Sequence, residues 1–131
     1  MSCWRNYSCA SLKNVDKDFL MRALQEMGLG LNNNTKIVGR YESREANVDG
    51  ALTRNGEELP LGLTICGDDG CVHVAGDFWS TGLNETKFTE DLGRIYQKIN
   101  MVAQAELAGY TVENVEETAD GGVEIEIYAM A

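Results

Sequence analysis

Apolar positions along the chain switch between two periods, and the switches divide it into elements. Residues 2–12 mix aromatic, small and polar side chains without a 3.6-residue repeat and read as a strand. Phe19, Leu20, Ala23, Leu24 and Met27 then fall on one helical face. Asn14 or Asp16 can cap that helix, Asp16 and Asp18 suit the positive end of its dipole, and Gly28 suits a left-handed stop. The spacing predicts a helix over residues 16–28.

A glycine- and asparagine-rich connection at 29–35 leads to a strand at 36–42. Residues 43–50 are polar and end in Asp49-Gly50, a turn signal. A short strand at 51–54 closes on Asn55-Gly56, the strongest short hairpin signal. Leu61, Leu63 and Ile65 share one face of the next strand, and residues 67–70 turn the chain into its partner at 71–75. Phe88, Leu92, Ile95, Tyr96, Ile99, Val102, Ala103 and Leu107 trace the stripe of a long helix, begun by Asn84 or Thr86 and ended by Gly109. Residues 110–117 and 123–129 form a closing hairpin. In its last strand Val123, Ile125, Ile127 and Ala129 share one face, while Glu124, Glu126 and Tyr128 share the other.

Many hairpins and two helices point to an α+β fold: one mainly antiparallel sheet with two amphipathic helices packed on one face. The other face is left to solvent or to a partner. A chain of 131 residues suits one domain spanning residues 1–131, with enough length to bury a core. No apolar run approaches a membrane span, and the N-terminus lacks the apolar core of a secretory signal. The expected location is the cytoplasm, where thiols stay reduced.

Charge alters the picture most. The net charge is −10, with 11 basic and 21 acidic residues. Residues 1–65 hold 8 basic and 8 acidic groups; residues 66–131 hold 3 and 13. Phosphate backbones and anionic membranes repel such a surface, which argues against direct nucleic-acid or membrane binding. A basic protein surface, or a cation, is the favoured partner. The acids concentrate in the closing hairpin, where Glu113, Glu116, Glu117, Asp120, Glu124 and Glu126 occur without one basic residue. Rows of like charge on a strand oppose folding unless a partner offsets them, and they also deter edge-to-edge aggregation.

Candidate chemistry is sparse. His73 is the only histidine, and Cys71, His73 and Asp77 share a strand face, the parts of a nucleophile–base arrangement or of a buried strand core. Cys66 and Cys71 have zinc-knuckle spacing, but Cys3 and Cys9, the only other thiols, lie too far apart on a strand to form the second pair. Asp68-Asp69 lacks the spaced oxygen ligands of a calcium loop. No phosphate-binding glycine loop or serine-hydrolase elbow occurs, and no cofactor or resident metal is expected.

Several short segments carry a resemblance. They are the Met1-Ser2 start with Trp4, then Val74-Ala75-Gly76-Asp77-Phe78-Trp79, Tyr96, Ala108-Gly109-Tyr110-Thr111-Val112, and Asp120-Gly121-Gly122 before a final apolar strand. In these the chain resembles the domain-of-unknown-function family twelve-fifty-seven of cyanobacteria, algal plastids, other bacteria and phages. Its plastid members are called hypothetical chloroplast reading frame thirty-five. Family members often have His where Cys3 stands here. The resemblance brings an order of elements but no activity; its members' genes often neighbour an AAA-type ATPase, which would fit an accessory role.

The reading that follows is a non-enzymatic accessory protein that binds a basic protein surface, such as an AAA-type ATPase, through the acidic hairpin and adjoining sheet face. The alternative is a phage-type inhibitor that mimics nucleic acid and blocks a nuclease or CRISPR-type effector. A third reading is a small enzyme or metal protein using Cys71, His73 and Asp77.

Overall fold

The computed structural model describes residues 4–38, 45–78, 81–119 and 122–129. Among the described residues eleven elements follow in order: β1 (Trp4–Lys13), α1 (Lys17–Glu26), β2 (Leu29–Leu31), β3 (Lys36–Val38), β4 (Glu45–Asn47), β5 (Gly50–Arg54), β6 (Glu57–Thr64), β7 (Cys71–Asp77), α2 (Glu85–Leu107), β8 (Tyr110–Glu117) and β9 (Val123–Ala129). Five strands form one antiparallel sheet in the order β1-β7-β6-β5-β2. The fold class is α+β.

The helices start and stop where their caps dictate. Asp16 caps α1, its Oδ1 accepting the backbone N–H of Asp18 at 2.9 Å and of Phe19 at 3.2 Å. Asn14, the other candidate, takes a left-handed φ of 53° and donates its N–H to the Gly70 carbonyl. Asn84 caps α2 through the Lys87 N–H at 2.9 Å. Gly28 and Gly109 follow the helices at positive φ. Asn55 and Gly56, both at positive φ, make the tight β5–β6 turn that their sequence predicts.

One face of the sheet meets both helices. Leu20, Ala23 and Leu24 of α1 and Phe88, Leu92 and Ile99 of α2 share a core with Leu61, Leu63, Val72 and Val74. Phe78 sits at its end, edge-on to Tyr7 and Phe88 with centroids 6.3 and 6.4 Å away. Gly93 of α2 lies so close to β1 that a Cβ would fall 2.8 Å from Ser11 Oγ. The Tyr96 hydroxyl accepts the Asp16 N–H at 2.8 Å, tying α2 to the start of α1. Among the described residues no helix is long and apolar enough to cross a membrane.

The opposite face is not left bare. Register places Asn6, Ala75, Gly62 and Ala51 in one row across four strands, and Ser8, His73 and Thr64 in the next. Over the first row packs a β3–β4 hairpin, a separate two-stranded sheet whose Ile37 and Ala46, with the following Val48, join Ala51 and Ala75 in a second, smaller core. The small residues are required: a Cβ on Gly62 would lie 2.6 Å from Val48 Cγ1. The stretches at 29–35 and 43–50 therefore each contain a short strand, β2 and β4, where the polar pattern suggests only connection and turn. Between β2 and β3 the asparagines do structural work. Asn32 and Asn34 both donate to Glu58 Oε1, at 2.8 and 2.9 Å, which lowers that carboxyl's pKa.

The C-terminal hairpin also departs from a single-sheet arrangement. β8 and β9 form their own two-stranded sheet, which rests on α2. Leu107, assigned by its spacing to the helix's apolar stripe, is 79% exposed where α2 runs into this hairpin.

Candidate functional site

Two regions gather polar groups: the outer face of β8–β9 and the row of Ser8, His73 and Thr64 on the main sheet.

In the hairpin, register sorts the acids. Val112, Val115, Val123, Ile125 and Ile127 share the inner face. Glu116 stands directly opposite Glu124, and Glu126 stands opposite Asn114, all on the outer face and all exposed. Asn114 Nδ2 donates to Glu116 Oε1 at 2.9 Å. Among the described residues no basic side chain is paired with Glu116, Glu124 or Glu126. Two of the predicted acids are placed differently. Glu117 lies on the inner-face register, and its Oε2 is 3.3 Å from Arg94 Nε of α2, so this carboxylate serves the hairpin's own anchorage. Glu113 is the extra residue where the register shifts between Val112 and Asn114, out of step with the outer row. Asp120 lies outside the described residues. The structure thus brings together three of the six acids, Glu116, Glu124 and Glu126.

On the sheet, the 67–70 turn folds Asp69 back over the strand end. Asp69 Oδ1 accepts from His73 Nε2 at 2.8 Å and from the Cys71 N–H at 3.0 Å; Oδ2 accepts from Ser8 Oγ at 3.2 Å. The His73, Cys71 and Ser8 bonds hold the Asp69 carboxyl down at about 2, so it is ionised throughout the physiological range. An ionised carboxylate only accepts, so the His73 proton shared with it sits on Nε2. The ring lies over Gly67, where a Cβ would fall 2.5 Å from Cδ2.

This geometry revises the predicted grouping of Cys71, His73 and Asp77. The three do share a face by register. The imidazole's recorded partner, however, is Asp69, which no face-alternation argument reaches because it lies in the turn. Asp77 is fully buried at the end of β7. Cys66 is exposed and Cys71 buried, and neither is in a disulfide. Burial pushes the Cys9 thiol up to about 11, with Cys71 adding to the effect, so Cys9 stays protonated and a poor nucleophile. Among the described residues no three His, Cys, Asp or Glu side chains gather to hold a metal ion. Cys3 lies outside the described residues.

A small hollow of about 150 Å³ lies on the acid row itself, between Asn114, Glu116, Glu124 and Glu126, and two larger ones adjoin these regions. A groove of about 740 Å³ runs between β1 and α2, lined by Ser11, Glu90, Arg94 and Gln97 among others. Its charges offset one another, and Arg94 is tied to Asp91 at 3.3 Å as well as to Glu117. A second hollow, about 470 Å³, opens over the His73 row.

A family model matches residues 23–125, from within α1 to within β9. The chain belongs to the DUF1257 family, described as proteins of unknown function. Among curated proteins and among solved structures, nothing matches it. The match to DUF1257 takes in the 67–70 turn, His73 and all of the acidic hairpin up to Ile125, but not β1. Most of the segment 74–78 that carried the resemblance is packing: Val74 and Phe78 are core, and a Cβ on Gly76 would lie 2.1 Å from the Pro60 carbonyl oxygen.

Proposed function

We propose that this DUF1257 chain is a non-catalytic accessory protein that docks a basic surface of another protein through the outer face of β8–β9. The observation that carries the reading is the register opposing Glu116 to Glu124, with Glu126 beside them. Like charges held opposite one another raise the hairpin's free energy, and a cationic partner removes that repulsion on contact. An AAA-type ATPase with a basic face meets that description, as does the basic groove of a nuclease or CRISPR-type effector. The partner's identity separates an accessory role from nucleic-acid mimicry.

The test begins with affinity capture from source cells with and without nuclease, followed by kinetics with the purified partner. Replacing Glu116, Glu124 and Glu126 together by Gln is expected to slow association by about tenfold at low ionic strength and to flatten its salt dependence. An association rate unchanged by the triple substitution at low salt would overturn the proposal.

A further inference from the structure

The hollow over the His73 row has a definite chemical character. Its volume of about 470 Å³ falls in the range of small-ligand sites. The floor and one wall are apolar: Ala75 from β7, Ala46 from β4 and the adjoining Val48. Around them stand Asn6 from β1, Asn47 from β4 and Thr64 from β6, brought from three separate strands. Among the described residues, none of these three side chains has a hydrogen-bond partner within the protein, so their oxygens are open to a ligand. The rim carries Asp68 and Asp69, and among the described residues no Lys or Arg lines the hollow.

Sign and shape then select the ligand class. Asp69 is already bonded to His73, Cys71 and Ser8 and chiefly supplies a fixed negative field. Asp68 is exposed and open to contact. Phosphates and carboxylates are repelled. A bare metal ion lacks a third strong ligand among the described residues. A cation that brings its own hydrogen-bond donors and an apolar stem meets every lining group. We propose that this pocket binds an alkylammonium group, the ammonium held by Asp68 and the Asn6, Asn47 and Thr64 oxygens and the stem laid over Ala46, Val48 and Ala75. Two sources share that chemistry: a free aliphatic polyamine and a lysine side chain presented by a protein.

The experiment is an NMR titration of the isotope-labelled chain with 1,5-diaminopentane and, separately, with Nα-acetyl-lysine methylamide; glutarate and pentanol are the controls. Saturable shifts are expected at the Asn47, Thr64 and His73 amides with the two amines and not with the controls. Two surface variants bear on it without touching either core. Asp68→Asn removes the open carboxylate, and Asn6→Lys supplies a competing ammonium from the protein itself. Each is expected to weaken amine binding at least about tenfold, the loss of one charge-assisted hydrogen bond. The combined Glu116→Gln, Glu124→Gln and Glu126→Gln variant should change it less than about twofold, because the hairpin rests on α2 and the pocket on the opposite sheet face. The tighter of the two amines assigns the source. Shifts that never saturate, glutarate binding as well as the amines, or equal weakening by the hairpin variant would overturn the proposal and leave only diffuse attraction to an acidic protein. The docking proposal can fail independently, since its readout is association with a protein partner through another surface.

Discussion

The five-stranded sheet and the β8–β9 hairpin are both antiparallel, yet they bury very different amounts of themselves. Six of the seven residues of β7 are buried, whereas β8 has none, and neither does β9 from Val123 to Ile127. β7 lies between two neighbouring strands, with a helical layer on one face and the β3–β4 hairpin on the other. β8 has one strand partner, one face on α2, and an outer face of carboxylates. An isolated two-stranded sheet is marginal in water. The hairpin therefore depends on half-buried contacts with α2 and the Arg94–Glu117 pair. The acidic charge sits where the molecule has least to lose from deformation, a sensible site for contact with a partner.

The tightly packed sheet is most vulnerable at Gly76. Its φ of 137° and the 2.1 Å approach of a Cβ to the Pro60 carbonyl oxygen leave no room for a side chain. Gly76→Ala is expected to destabilise the sheet by roughly 3 kcal/mol or more, read by chemical denaturation. A loss under about 1 kcal/mol would show that β6 and β7 yield easily, and the contrast would collapse. Next in size is a matched pair of truncations. Leu63→Ala, in the core, should cost about 2–5 kcal/mol, and Ile125→Ala, half-buried in the hairpin, about 1 kcal/mol. Amide exchange should agree, with β6–β7 opening only globally and β8–β9 opening locally at lower free energy. Equal protection in both would refute a weaker hairpin.

Smaller still is the effect of cross-strand repulsion. Glu124→Gln relieves the contact with Glu116 and should raise hairpin stability by about 0.5 kcal/mol, diminishing with salt. A decrease would mean that the acid row is held by something other than its own repulsion. The finest test concerns the turn beneath His73. The Asp69 carboxyl is depressed from 3.8 to about 2, so its contribution is complete above pH 4 and lost as pH falls through about 2. A carboxyl titration followed by NMR should place its midpoint near 2. A midpoint near 4 would remove the His73–Asp69 bond from the description of the pocket.

Much of the body was readable from spacing because its elements are long and their caps distinct. Asp16, Gly28, Asn84, Gly109 and Asn55-Gly56 each carry a local physical signal that no distant partner needs to supply. β2 and β4 are three residues each, too short to display a period, and β2 finds its partner in β5 rather than next door, whereas β3 starts the strand expected at 36–42, whose residues 39–42 lie outside the described residues. Alternation marks β8 and β9 as strands but cannot say whether they join the main sheet. The acid row was legible in type and incompletely in placement: a single bulge displaces Glu113, and Arg94, remote in sequence, claims Glu117. His73 stood out by being the only histidine. Its partner did not, since Asp69 reaches it by the curl of a turn. The hint available was an Asp four residues before a strand histidine, across a glycine.

The pairing of β1 with β7 has a consequence in time. Trp4 lies across the sheet in register with Asp77, and Ser8 with His73. As the chain is synthesised, Trp4–Lys13 exists long before the strand that will receive it. Its apolar Tyr7, Cys9 and Leu12 must wait uncovered, and closing so long a loop is slow. A nascent chain halted short of Asp77 should leave Trp4–Lys13 open to protease. The same segment should become resistant once β7 is free to pair, which makes synthesis past that point the step that commits the molecule to its shape.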